Sequence, residues 1–434
     1  MTIKTVADRS DIKQEIDGFG VCGAFRQADN LYGYPEEVRE SVLDLLFSKE
    51  KGAGFSILRN IIGDSGSWGD RYDGPTKSIE PSEGVYCYEG DEDQIWLMNE
   101  AKKRGCARFV SSVWSPPAWM KTNACVDGGG ELRPDKYKEF AEYIVRYVRE
   151  YKARFDIDIS AVSCANEPTT STAYSSCLWT GAQMARFYAD YLGPALEKEN
   201  MGTCVFGPET EYFGNRILEE YASLFSNASP IPQIAAQHGY GGVIEPIESS
   251  FIKDRKLWLS EISDVSAKIN DPSIHDGLVW AKTVHDYLTL ANVNAFIYFW
   301  GMSMYCNKGI SLIGLNLADK TVILNKRLFA IGNYSRFIRP GYKRIGVSTG
   351  PCDGVYLSAF MSDGGGNFVL AAVNTGEKKA ELALECKGFS CSRLTPFRTS
   401  AGEDLKKLGT IDLSEDVLLP IEGKSVTTFT GACS

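Results

Sequence analysis

Several things are scarce in this 434-residue chain. It has only three histidines, and none of its twelve cysteines stands in a CxxC pair or at a Cys/His zinc spacing. No metal and no cofactor are therefore expected. No basic run stands out and the formal net charge is −10, which disfavours phosphate-driven nucleic-acid binding. No run of about 18 apolar residues exists, so no membrane-spanning segment is expected. The opening "MTIKTVADRS" lacks an apolar h-region, so no signal peptide is visible. What is present is a well-stocked interior: 44% hydrophobic against 24% charged residues, the balance of a folded protein with a sizeable core. Aromatics reach 12%, with 8 Trp and 21 Tyr. Rings in that number suit flat hydroxylated ligands such as sugars, and equally an ordinary core.

Short β-rich runs alternate with helical patterns eight times. The candidate strands are 18–25, 55–62, 107–114, 159–166, 203–209, 234–240, 256–261 and 295–300. In "DKYKEFAEYIVRYVREYKARF", residues Tyr137, Phe140, Ala141, Ile144, Val145, Val148 and Tyr151 form one helical stripe. Further helices are expected at 35–48, 92–104, 181–199, 214–225, 274–291 and 326–338, with a weak one near 245–253. Eight β-then-α units point to a (β/α)8 TIM barrel. After Pro340-Gly341 the pattern changes to alternation in twos with Gly-rich turns, which reads as an antiparallel β domain. The expected division is a catalytic barrel over 16–340 and a β-sandwich side domain formed by 1–15 plus 341–434. "GFGVCG" at Gly18–Gly23 fits a dinucleotide fingerprint. It lies inside an apolar run, however, and does not open a helix, so it reads as a barrel strand.

Chemistry in such a barrel sits at the C-terminal ends of its strands. Strand four ends in "AVSCANEPT", with Asn166-Glu167-Pro168; strand seven ends in Ser260-Glu261; strand six in His238-Gly239-Tyr240. Strand two carries Arg59, strand three ends in Trp114 and strand eight in Trp300. A single glutamate at a strand end is ordinarily a helix cap or a solvated acid. Two of them across one barrel mouth are what acetal hydrolysis needs: one to protonate the leaving oxygen, one to attack the anomeric carbon. Glu209 and Glu211 in "GPETEY" are rivals, read as supports or substrate contacts. Pro168 is expected to hold Glu167 in an extended backbone. His275 and His285 read as structural.

With these residues in place the chain resembles glycoside hydrolase family 30, in clan A of the retaining (β/α)8 glycosidases. The matching stretches are "EIDGFGVCGAF", "LDLLFSKEKGAGFSILRNIIG", "SSVWSPPAWMKTN", "SCANEPT", "HGY", "LWLSEIS" and "RFIRPGYKRI". The resemblance implies Glu167 as general acid/base and Glu261 as nucleophile, with Asn166 on the sugar 2-OH. It implies Arg59 and Tyr240 beside the nucleophile, His238 supporting them, and Trp114 and Trp300 walling the sugar, with Tyr298 a competing match for Trp300. Trp119 is read as shaping its loop.

The wording is closest to the xylanase branches. Some bacterial members hold a glucuronic acid branch with arginines after strand eight, where this chain has "FWGMSMYCNKGIS" and no arginine. The fungal-like branch holds it from the first βα loop, where Arg26 stands here. The expected function is therefore retaining hydrolysis of β-1,4-xylosidic bonds in xylan or glucuronoxylan. The alternatives are a relative cleaving another β-glycosidic polysaccharide such as β-1,6-glucan, or a non-catalytic sugar-binding protein. A secreted monomer in mature form is expected, with xylan as its partner. Some disulfides are expected with export, Cys386 and Cys391 being the closest local pair. Asn227-Ala228-Ser229 and Asn333-Tyr334-Ser335 match the glycosylation sequon, the second inside a helical pattern.

Overall fold

The first long strand, β1 (Thr2–Glu15), does not enter the barrel, which begins at β2 (Gly18–Cys22). From there β3 (Ile57–Ile62), β4 (Arg108–Val113), β5 (Ile159–Ser163), β6 (Cys204–Thr210), β7 (Ile234–His238), β8 (Lys256–Ile262) and β9 (Ala295–Tyr298) follow in order. All neighbours pair in parallel, and β9 returns to β2, closing the ring. These are the eight strands read from the sequence. The structure is a computed structural model that describes residues 2–66, 76–225, 231–413 and 417–434. The sequon at Asn227 lies outside the described residues.

Inside the ring, Ile57, Val110, Phe206, Ile234, Trp258 and Ile297 fill one apolar plug. Their sequence neighbours Leu58, Val205, Ala235, Leu259 and Phe296 face outward into the larger core beneath the helices. Burial on both faces is why these strands read as nearly continuous apolar runs. The helices are α1 (Gln27–Tyr32), α2 (Glu36–Phe47), α3 (Glu92–Lys103), α4 (Tyr137–Phe155), α5 (Gly181–Phe187), α6 (Gly193–Lys198), α7 (Asn215–Ala222), α8 (Ile274–Thr289) and α9 (Lys326–Ser335). In α4 every residue of the stripe read from the sequence is buried, and Asp156 ends the helix at φ 55. The helix expected over 181–199 is interrupted: Thr180 and Gln183 cap its start reciprocally, and a π-helical turn over Tyr188–Leu192 separates α5 from α6. The expected weak helix near 245–253 is a single 3-10 turn, Ser250–Ile252. Helix α1 was not expected, because its polar "QADN" start carries no apolar period.

Beyond the barrel, β10 (Met302–Ser303), β11 (Ile313–Leu315) and β12 (Val322–Leu324) form a small sheet that the sequence pattern did not reveal. The side domain follows with β13 (Lys343–Thr349), β14 (Val355–Met361), β15 (Asn367–Asn374), β16 (Ala380–Lys387), β17 (Arg393–Ser400), β18 (Glu403–Lys407), β19 (Ile411–Asp412), β20 (Leu418–Ile421) and β21 (Ser425–Ala432). With β1 they form one ten-stranded, mostly antiparallel sheet in the order β18-β17-β21-β15-β14-β13-β1-β16-β20, with β19 on β17. The N-terminal strand sits inside this sheet, antiparallel to β13 and parallel to β16. Asn333 of the second sequon is fully buried on α9, where its amide donates to Phe397 O (3.0 Å) and Thr428 Oγ1 (3.1 Å) of this domain.

The expected disulfides are absent. All twelve cysteines are free. Cys386 lies in β16, one residue before its end, whereas Cys391 lies across an antiparallel bridge from Cys433 and points its thiol at the Arg393 and Ala432 carbonyls, 3.3 Å from each.

Candidate active site

Above the apolar plug the barrel interior turns polar. Arg59 and His238 fall in step with the inward residues of β3 and β7, two and four positions after Ile57 and Ile234 respectively. Glu261 does not. Trp258 points inward, so strict alternation would turn residue 261 outward. A register shift at this point of the β7–β8 pairing sets His238 opposite Glu261 and restores the acid to the interior. A second shift in the β6–β7 pairing falls between Pro208 and Thr210, where Glu209 has φ 55.

The Arg59 guanidinium gathers the cluster. Its Nε donates to Ser112 Oγ (3.1 Å), and Nη2 donates to Asn166 Oδ1 (2.8 Å) and Glu209 Oε1 (3.0 Å). Its Nη1 is ion-paired with Glu261 Oε2. The guanidinium also lies 4.5 Å from the centroid of the Trp114 ring. Tyr240 donates its hydroxyl to Glu261 Oε1 at 2.8 Å. His238, fully buried, meets Glu167 Oε1 through Nδ1 (3.1 Å) and Glu209 Oε1 through Nε2 (3.5 Å). One oxygen of Glu167 and one of Glu261 lie within 4.8 Å of each other.

Glu167 has φ 46, not the extended backbone expected before Pro168. Its N–H donates to the Glu209 carbonyl (3.0 Å) and its own carbonyl accepts from Thr170 N (3.0 Å), a turn that outweighs the proline's steric preference. Thr169 and Thr170 donate their hydroxyls to Glu211, the Thr169 bond being 2.8 Å.

Burial pulls the His238 imidazole down, but Glu261, Glu167 and Glu209 outweigh it and push it up to about 10, so it is a cation at neutral pH. Burial also works against the Glu209 anion, yet Arg59 and His238 hold its carboxyl down at about 2. Burial raises Glu261 above its ordinary value; His238 and Arg59 pull it back, and Glu167 adds to the rise. Glu167, His238 and Glu261 are close enough together to hold a cation, but the protonated imidazole and the Arg59 guanidinium already supply positive charge there. A cleft of about 490 Å³ opens over the two acids, lined among others by Trp114, Asn166, Tyr174, Glu211, Tyr240 and Phe299.

The sequence model of "Glycosyl hydrolase family 59" matches residues 16–314. The chain belongs to glycosyl hydrolase family 59. It is a glycoside hydrolase, and its resemblance to family 30 holds in three dimensions. The catalytic domain of the family 30 xylanase C from Talaromyces cellulolyticus superposes with a TM-score of 0.84 at 26% identity, covering 99% of both chains. Among curated relatives, glucuronoxylanase XynC of Bacillus subtilis (strain 168) is 24% identical over 352 residues, covering 77% of this chain and 76% of its own. An endo-1,6-beta-D-glucanase of Neurospora crassa is also 24% identical, over 400 residues, covering 86% of this chain and 79% of its own.

This family 59 site brings together Glu167, Glu261, Arg59, Trp114, Asn166, His238 and Tyr240. Two expected contacts lie elsewhere. Arg26 does not line the cleft: its guanidinium is ion-paired with Asp29 (3.3 Å) and Asp93 (3.7 Å) in and beside α1. Trp300 is fully buried behind the wall, stacked on Tyr305 (5.8 Å between centroids, 10° between planes), and the lining rings are Phe299 and Tyr305. Its competitor Tyr298 faces the helices, bonded to Gly309 O (3.1 Å) and by Arg327 Nη1 (2.8 Å). Trp119 donates to Glu80 O (3.0 Å), away from the acids. Tyr174, Phe299, Tyr305 and Lys308 line the cleft without having been singled out. Tyr305 and Lys308 stand in the arginine-free segment after strand eight.

Proposed function

We propose that this glycoside hydrolase cleaves β-1,4-xylosidic bonds in xylan with retention of anomeric configuration, through a covalent glycosyl-enzyme. The observation that carries the reading is that one oxygen of Glu167 and one of Glu261 lie no more than 4.8 Å apart, which fits the roughly 5–5.5 Å between the carboxyl groups of retaining glycosidases better than the roughly 6.5–9.5 Å of inverting ones. The partners divide the roles. Glu261 accepts from Arg59 and Tyr240, which suits an anion about to attack. Glu167 meets the imidazole and is more exposed, at 12% of its side chain against 6% for Glu261.

In the first step Glu261 attacks the anomeric carbon while Glu167 gives its proton to the departing glycosidic oxygen. In the second, Glu167 takes a proton from water, whose oxygen displaces Glu261 from the same carbon. Asn166 spends its Oδ1 on Arg59, so its NH2 group is the donor left for the sugar 2-OH. Support for xylan comes from the "SSVWSPPAWMKTN" stretch and from the xylanase relatives. The Neurospora glucanase, at the same identity as the glucuronoxylanase, favours a second reading, β-1,6-glucan.

Product release from xylan, glucuronoxylan and β-1,6-glucan decides between them, and NMR of the first product decides the stereochemistry. The expected result is a β-anomer from xylan. An initial α-anomer overturns the nucleophile, and turnover of the glucan alone overturns the substrate.

A further inference from the structure

The residues that leave the barrel after β6 carry one ring turned outward. Tyr212 is 53% exposed and lines the cleft. Its backbone, by contrast, is tied down. The Tyr212 carbonyl accepts from Gln237 Nε2 (3.2 Å) and Thr210 Oγ1 (3.3 Å), and Gly214 N donates to Gln237 Oε1 (3.2 Å). Phe213 forms a parallel bridge with Gly242: its N–H donates to Gly241 O (3.0 Å), and its carbonyl accepts from Val243 N (3.3 Å). Both glycines are needed for this clasp. A Cβ on Gly241 would stand 2.4 Å from the Tyr212 ring, and one on Gly242, at φ 90, would stand 1.9 Å from Phe213 O. The ring thus lies against bare backbone with its orientation set. Val265, 53% exposed, adds an apolar side chain to the same cleft lining.

The place of this ring follows from the acid beside it. β6 is the strand next to β5, from which Glu167 emerges. The Glu167 N–H and the two threonines after Pro168 fasten that acid to Glu209 and Glu211. A proton donor to the glycosidic oxygen stands on the leaving-group side of the bond. Phe299 and Tyr305 come from the opposite side of the ring of strands, at and after β9.

We propose that Tyr212 is the stacking platform for the leaving-group sugar, a +1 subsite that also receives the acceptor when the glycosyl-enzyme transfers to another sugar. The occupant is a β-linked pyranose lying with its apolar face on the ring. This rests on the two-glutamate reading above, whose failure shows separately as full activity of Glu167→Gln or Glu261→Gln.

The test compares wild type, Tyr212→Ala and Tyr212→Phe on an oligosaccharide of whichever polysaccharide the enzyme cleaves, and on the matching β-glycosyl fluoride, whose leaving group has no ring. Tyr212→Ala is expected to lower kcat/KM on the oligosaccharide about five- to tenfold, mainly through KM. It should also cut the share of transglycosylation products and leave fluoride hydrolysis unchanged. Tyr212→Phe is expected to behave as wild type. Equal losses on both substrates, no loss on either, or a Phe variant as poor as the Ala variant would each overturn the platform.

Discussion

Replacing Glu209 by Gln tests whether the buried charges act as one unit. Glu209 is fully buried, 3.0 Å from Arg59 and 3.5 Å from His238. Glutamine keeps the shape and removes the charge. Breaking a buried ion pair costs about 3–5 kcal/mol of stability, and that is the loss expected at neutral pH. The variant should also alter the pH dependence. His238 is raised in the fold from 6.5 to about 10, which corresponds to about 5 kcal/mol of preference for the protonated form. That contribution is fully present below about pH 6.5 and is lost as the pH rises through about 10. Without Glu209 the imidazole loses one of three carboxylates, each charge-assisted contact being worth about 1.5–3 kcal/mol. The alkaline fall in stability should therefore still begin near pH 6.5, where the unfolded imidazole titrates, but be smaller and end about one to two pH units lower. Urea denaturation followed by tryptophan fluorescence across this range reads both effects. A loss under about 1 kcal/mol with an unmoved alkaline limb would refute the claim that Glu209 holds the cluster.

Two further outcomes bear on the roles assigned. Glu167→Ala and Glu261→Ala should each lose turnover by orders of magnitude with the circular dichroism spectrum unchanged. Added azide, with an activated aryl glycoside, should then yield the β-glycosyl azide from the first and the α-azide from the second; the same azide from both contradicts the division of labour. Because Arg26 is held by Asp29 and Asp93, Arg26→Ala should leave the ratio of rates on glucuronate-decorated and undecorated xylan unchanged. Lys308→Ala, which removes a cation that lines the cleft, should lower that ratio. The reverse pattern in the two variants would restore Arg26 as the reader of the branch.

The sequence by itself determined the barrel, because eight apolar runs spaced by amphipathic helices admit few other arrangements. The stripe on α4 was legible for the same reason, since every one of its residues obeys one period. It also marked the acids, since Glu167 and Glu261 close apolar runs. It did not determine which way those acids point or what they touch. Period-two alternation from Trp258 would send Glu261 outward, and the proline rule would leave Glu167 extended; a register shift in β8 and a turn closed by hydrogen bonds to Glu209 O and from Thr170 N decide otherwise. Arg26 shows the same limit from the other side, since its local sequence contains no hint that Asp93, on α3, neutralises it. Facing, pairing and charge state depend on groups brought together from strands far apart in the chain. Local sequence specifies the elements, and only the closed ring of strands sets Arg59, Glu209, His238 and Glu261 within hydrogen-bonding reach.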